Sequence, residues 1–115
     1  MLTIETLREF GVDVQAGIER CMDDEAFYLE LVNMALEDRA FDELSDAVKA
    51  DDRKAAFSAA HALKGSIANV SLTPLESVIS EMTELLREEK DADYQAYLDR
   101  ILQLRDQLLR LKNST

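Results

Sequence analysis

Tryptophan is absent from the 115 residues, and aromatic side chains make up only 6% of them. That scarcity argues against an all-β domain, whose strands draw on aromatic and β-branched residues. The chain has one proline and three glycines. With so few breakers, long helices are the default reading. A single cysteine, Cys21, cannot close an internal disulfide, which suits a reducing, cytoplasmic setting. One histidine and one cysteine fall short of the several ligands that a zinc site takes. Nor can one histidine supply the two Glu-x-x-His units of a di-iron bundle. No metal and no cofactor are therefore expected. Basic residues are also short, 13 against 24 acidic ones, for a net charge of -11. A nucleic-acid partner needs a basic footprint, so none is expected. No apolar run approaches the ~20 residues that cross a bilayer. The start, Met1-Leu2-Thr3-Ile4-Glu5, lacks the basic and apolar regions of a signal peptide. Neither a membrane partner nor export is expected.

What is present is 47% apolar and 32% charged residues, the balance of a folded globular chain. One domain over 1–115 is expected at this length. Residues 3–10 carry Ile4, Leu7 and Phe10 at helical spacing, with Thr3 as N-cap and Gly11 just past the end. Asp13 can cap a second short helix with Val14, Ile18 and Cys21, weakened by Gly17. From Asp23-Asp24 onward, Phe27, Leu31, Met34, Phe41, Leu44 and Val48 recur at helical spacing, without an intervening glycine or proline. The spacing predicts one helix of about 26 residues with these six on its core face. A break near Asp38-Arg39 is the alternative, because Asp38 falls on the core phase. Asp51-Asp52 marks a turn. Thr73-Pro74-Leu75-Glu76 has the form of a capping box with proline at the first helical position. Leu75, Val78, Ile79, Met82, Leu85 and Leu86 form the next stripe. Tyr94, Tyr97, Ile101, Leu104, Leu108 and Leu111 form the last. The expected fold is all-α: an antiparallel up-down-up-down four-helix bundle over about 24–112, with two short helices covering one end.

The stretch that stands apart is His61-Ala62-Leu63-Lys64-Gly65-Ser66. At roughly 100° per residue, Ala56, Ala59, Ala60, Leu63, Ile67 and Val70 share one core arc. His61 falls about 145° from its middle and Gly65 about 180° from it. Lys64 lies one turn from the histidine. The imidazole is thus expected to face solvent beside a cation and a position without a side chain. A mid-helix glycine costs about 1 kcal/mol relative to alanine. Close approach by another molecule is a physical reason to keep it there. A hydrolase triad would need a nucleophile and an orienting acid around His61. Cys21 and Ser66 are nucleophiles, but the spacing places neither. There is no glycine-rich phosphate cradle. A neutral imidazole can still carry a group as a nucleophile.

These residues resemble the His-x-Leu-Lys-Gly-Ser signature of histidine-containing phosphotransfer (HPt) domains. Gly11-Val12-Asp13, Gly17-Ile18, the segment from Asp24 to Tyr28, Asp51-Asp52 and Leu75 extend the resemblance over nearly the whole chain. It implies a phosphorelay carrier rather than an autonomous kinase or phosphatase. His61 would accept the phosphoryl group and exchange it with a receiver-domain aspartate. Lys64 would balance phosphate charge, and Gly65 would leave room for the receiver. The partners implied are a response-regulator receiver, a hybrid histidine kinase, or both. Phe57, Gly65 and Ala68 are expected to meet them, with Ser66 and Asn69 of secondary rank. A monomer is expected. The alternative is a helical adaptor that binds receivers without phosphotransfer. Ile67 stands where a second serine is common, Ser71-Leu72 where Gly-Ala is frequent, and Thr83 where some members carry glutamine.

Overall fold

The computed structural model describes residues 2–113; Met1, Ser114 and Thr115, at the ends of the expected 1–115 domain, lie outside the described residues. Among the described residues the chain forms seven helices and no strand. The first, α1 (Ile4–Phe10), opens on a capping box: Thr6 N–H donates to Thr3 Oγ1 at 3.1 Å, and Thr3 N–H to Thr6 Oγ1 at 3.0 Å. It closes at Gly11, whose φ of 102° is left-handed. In α2 (Val14–Arg20) Asp13 is the cap, accepting from Ala16 N–H at 3.2 Å.

Gly17 reads from sequence as a weak point of α2, yet it has a packing reason. A Cβ built there would stand 2.2 Å from Cε1 of Tyr28. Tyr28 is fully buried, and its hydroxyl donates to the Val70 carbonyl at 2.8 Å. Burial, with Cys21 and Asp13 nearby, pushes the phenol up to about 12, so it stays a donor through the neutral range. The ring cannot move aside without giving up that bond. Gly17→Ala should therefore lower unfolding stability by about 1–3 kcal/mol, the scale of overpacking, despite alanine's better helix propensity. Urea denaturation of the two proteins measures it.

The expected 26-residue helix is instead two helices, α3 (Glu25–Leu36) and α4 (Ala40–Lys49). The physical reason lies in Asp38, which a continuous helix would turn toward the core. With the helix broken, its carboxylate accepts from Ala40 N–H at 2.9 Å and from the Ser66 hydroxyl at 2.8 Å. The end of α3 is satisfied by Arg105, whose Nε donates to the Leu36 carbonyl at 2.7 Å. Lys112 holds Glu37 at 2.6 Å, and that hydrogen bond and charge draw the Glu37 carboxyl below its usual range.

The buried face of α3 also differs from expectation. Tyr28, Val32, Ala35 and Leu36 are buried, whereas Phe27 is 43% and Met34 64% exposed and Leu31 is half-buried. In α4 the expected phase holds, with Phe41 and Leu44 buried and Val48 partly so.

Asp52 caps α5 (Arg53–Asn69), accepting from Ala55 N–H at 3.1 Å. Its core arc is as the periodicity predicts: Ala56, Ala59, Ala60, Leu63 and Ile67 are buried. The turn out of α5 runs through Ser71 at a φ of 55°. That conformation is cheap for glycine and costly for serine. The next helix, α6 (Thr73–Arg87), starts one residue earlier than expected: Leu72 is the N-cap and no side chain caps it. Thr73 is the first helical residue, and the capping box does not form. Its hydroxyl donates to the Ser71 carbonyl at 3.0 Å and accepts from Asp13 N–H at 3.1 Å, tying the N-terminal helices to this turn. The last helix, α7 (Tyr94–Asn113), buries Tyr94, Leu98, Ile101, Leu104 and Leu108. Packing runs α4 on α5, α5 on α6 and α6 on α7, and α7 returns to α4 and α3. The shared core leaves the outer face of α5 uncovered along His61 and Gly65.

Candidate functional site

Alanine-rich α5 places its functional side chains by phase alone. Phe57 lies four residues before His61, Lys64 and Gly65 three and four after it, and Ala68 four and three after those two, which stacks them on one side of the helix. His61 is exposed, as expected. Its ring stacks on Phe57, with centroids 5.7 Å apart and planes 21° apart. Such an offset pair restricts the imidazole without burying it. Lys64 is half-buried one turn on. Gly65 is exposed, and a Cβ there would meet nothing within 4 Å. Ala68 is half-buried, and its carbonyl accepts from the Arg20 guanidinium of α2.

Ser66 does not join His61, because its hydroxyl is held by Asp38. Asn69 is exposed at the end of α5. Thr83 is fully buried, and its hydroxyl donates at 2.7 Å to the Ile79 carbonyl one turn back on its own helix.

Periodicity missed two groups of residues near this face. Glu84 and Arg87 of α6 come alongside α5. Glu84 Oε1 lies 3.9 Å from Lys64 Nζ and 3.6 Å from the Arg87 guanidinium. Arg87 in turn sits 5.6 Å from the centre of the Phe57 ring, within cation–π range. Glu84 and Arg87 pair within α6, but their contacts to Lys64 and Phe57 cross between helices, so spacing within one helix could not reveal those. The second group is the apolar row Phe27, Leu31 and Met34 on α3. Leu31 and Met34 line a cleft with Asp38, Ser66 and Asn69, next to the C-terminal part of α5. Their apolar character was visible in sequence; their exposure was not.

The arrangement has an accessible nucleophile, a cation within one turn, a second cation on the neighbouring helix, and open space beside the nucleophile. Among the described residues no carboxylate is seen hydrogen-bonded to His61, as the orienting acid of a hydrolytic triad would be. No helix among the described residues is long and apolar enough to cross a membrane.

The model of the Hpt domain family matches residues 28–114, which contain His61 and all of α4, α5, α6 and α7. No curated protein and no solved structure matches the chain. Hpt domains carry out histidine phosphotransfer in phosphorelays and typically interact with receiver domains and histidine kinases. With the match spanning well over half its length, the chain belongs to the Hpt domain family.

Proposed function

We propose that the chain is a phosphorelay carrier that accepts a phosphoryl group on His61 and exchanges it with the aspartate of a response-regulator receiver domain. The observation that carries this reading is the open space at Gly65 beside an exposed, Phe57-stacked imidazole. In the transfer, the lone pair of one ring nitrogen forms the new N–P bond. The acyl phosphate P–O bond of the receiver breaks, and its electron pair stays on the aspartate oxygen. The other ring nitrogen releases its proton to water. Lys64 offsets part of the ~-2 charge that arrives. The reverse sequence returns the group to a receiver.

Phe57, Gly65 and Ala68 form the centre of the docking face. The exposed Phe27 and Met34, with the half-buried Leu31 between them, extend it onto α3 and supply further apolar area for a receiver. The partner is a receiver, a hybrid histidine kinase, or both in turn. The reading treats residues 1–115 as one domain, monomeric and cytoplasmic. Its bundle helices run antiparallel, up-down-up-down, with α3 and α4 together serving as the first.

The test is incubation with phosphorylated receiver domains from the same genome. Label that reaches the protein and is acid-labile but base-stable supports an N-linked phosphate. Stable binding of receivers with no label would favour an adaptor without phosphotransfer.

A further inference from the structure

The charged groups beside His61 include one that the carrier reading does not use. Glu84 lies between Lys64 and Arg87, 3.9 Å from the first and 3.6 Å from the second. Both cations belong to the surroundings of His61: Lys64 is one turn away on α5, and Arg87 rests over the Phe57 ring on which His61 stacks. All three charged side chains are roughly half exposed, at 37%, 51% and 49% for Lys64, Glu84 and Arg87. Such pairs are weak and exchange partners readily. A phosphoryl group on His61 would bring about -1.5 to -2 charge and three acceptor oxygens into the same neighbourhood.

Resting on the carrier reading of His61, we propose that Glu84 is an internal counter-ion for the phosphoryl site. It holds Lys64 and Arg87 while His61 is free and yields both to the phosphoryl group when it arrives. Arg87 is then a second phosphate-facing cation, supplied by α6. Glu84 is a positioning residue that acts through the two cations. It opposes phosphorylation, because an incoming phosphoryl group must displace a carboxylate to use them. The buried Thr83 beside it cannot fill either part, since its hydroxyl is spent on its own helix.

Phosphoramidate separates this proposal from receiver docking, because it needs no protein interface. The imidazole lone pair forms the N–P bond, the P–N bond of the donor breaks, and its nitrogen leaves as ammonia with the bonding pair. The ring N–H proton passes to water. Phosphohistidine formation, followed by phosphorus NMR at low salt, should be about threefold faster in Glu84→Gln than in wild type, the scale of one exposed ion pair. The difference should vanish near ~1 M salt, where the Debye length is about 3 Å. It should also vanish when Glu84→Gln is made on a Lys64→Ala/Arg87→Ala background, because no cations remain to be released. In the free protein, Glu84→Gln should move the Lys64 ε-methylene resonances.

An unchanged or slower rate in Glu84→Gln overturns the proposal. So does a gain that persists on the double-alanine background. Lys64 resonances that ignore the substitution show that the ion pair does not form in solution, and the proposal fails regardless of any transfer. If those resonances move but wild type takes no phosphate from phosphoramidate, the ion pair stands. The carrier reading then fails, and the counter-ion role fails with it.

Discussion

A His61→Gln protein should fold as the wild type does and accept no phosphoryl group from a phosphorylated receiver or from phosphoramidate. The side chain is exposed and contributes nothing to the buried core. Its one aromatic contact is the stack on Phe57. Losing that costs no more than about 1 kcal/mol, the scale of a single aromatic pair. Glutamine is a good helix former, so α5 should propagate through it unchanged. The chemistry has no such substitute. An amide nitrogen lacks a basic lone pair, and no second histidine exists in the chain. The expected result is complete loss of acid-labile label with a melting curve close to the parent's. Label remaining on the variant would place the carrier elsewhere. Loss of label together with unfolding would make the experiment a statement about stability, which circular dichroism on the same sample detects.

How legible the site was in the sequence depended on where each signal resides. His61, Lys64 and Gly65 lie within one helix whose core arc is made of alanines, leucine and isoleucine on a single side. Periodicity fixes the phase of such a helix, and the exposed face follows. The third helix offers no such asymmetry. Phe27, Leu31 and Met34 compete with Tyr28, Val32, Ala35 and Leu36 for the core, and both sets have helical spacing. What decides between them is tertiary: Gly17 opens a slot that Tyr28 enters, and the Val70 carbonyl receives its hydroxyl. The break at 37–39 was legible only as the alternative, through Asp38 on the core phase, and what makes it is again tertiary. It is made by neither glycine nor proline, but by Asp38 finding Ser66 28 residues away and by Arg105 covering Leu36. Thr73 failed as a cap because its hydroxyl serves the Ser71 carbonyl and the Asp13 N–H instead. Glu84 and Arg87 needed the packing of α6 on α5, which no local pattern encodes.

Gly65→Gln should leave the fold intact and yet cut phosphoryl exchange with a receiver by about 100-fold or more, the cost of misplacing reacting groups by an ångström or so. Stability should not fall, because nothing lies within 4 Å of the position a Cβ would take. Replacing a mid-helix glycine should instead add up to about 1 kcal/mol, since the unfolded chain loses freedom that glycine alone has. The methyl of Gly65→Ala gives the same gain with little added bulk, so its thermal shift calibrates the backbone effect. Glutamine differs from alanine by a polar arm long enough to fill the space beside His61. A receiver must bring its aspartate into in-line contact with the imidazole through that space. A small donor need not, so phosphorylation by phosphoramidate should survive at a rate near that of wild type. The pair of assays on one protein distinguishes obstruction of docking from damage to the nucleophile. Equal loss in both would mean that the glutamine acts on His61 itself. Wild-type exchange with the receiver would mean that the bare patch at Gly65 is not where the receiver enters.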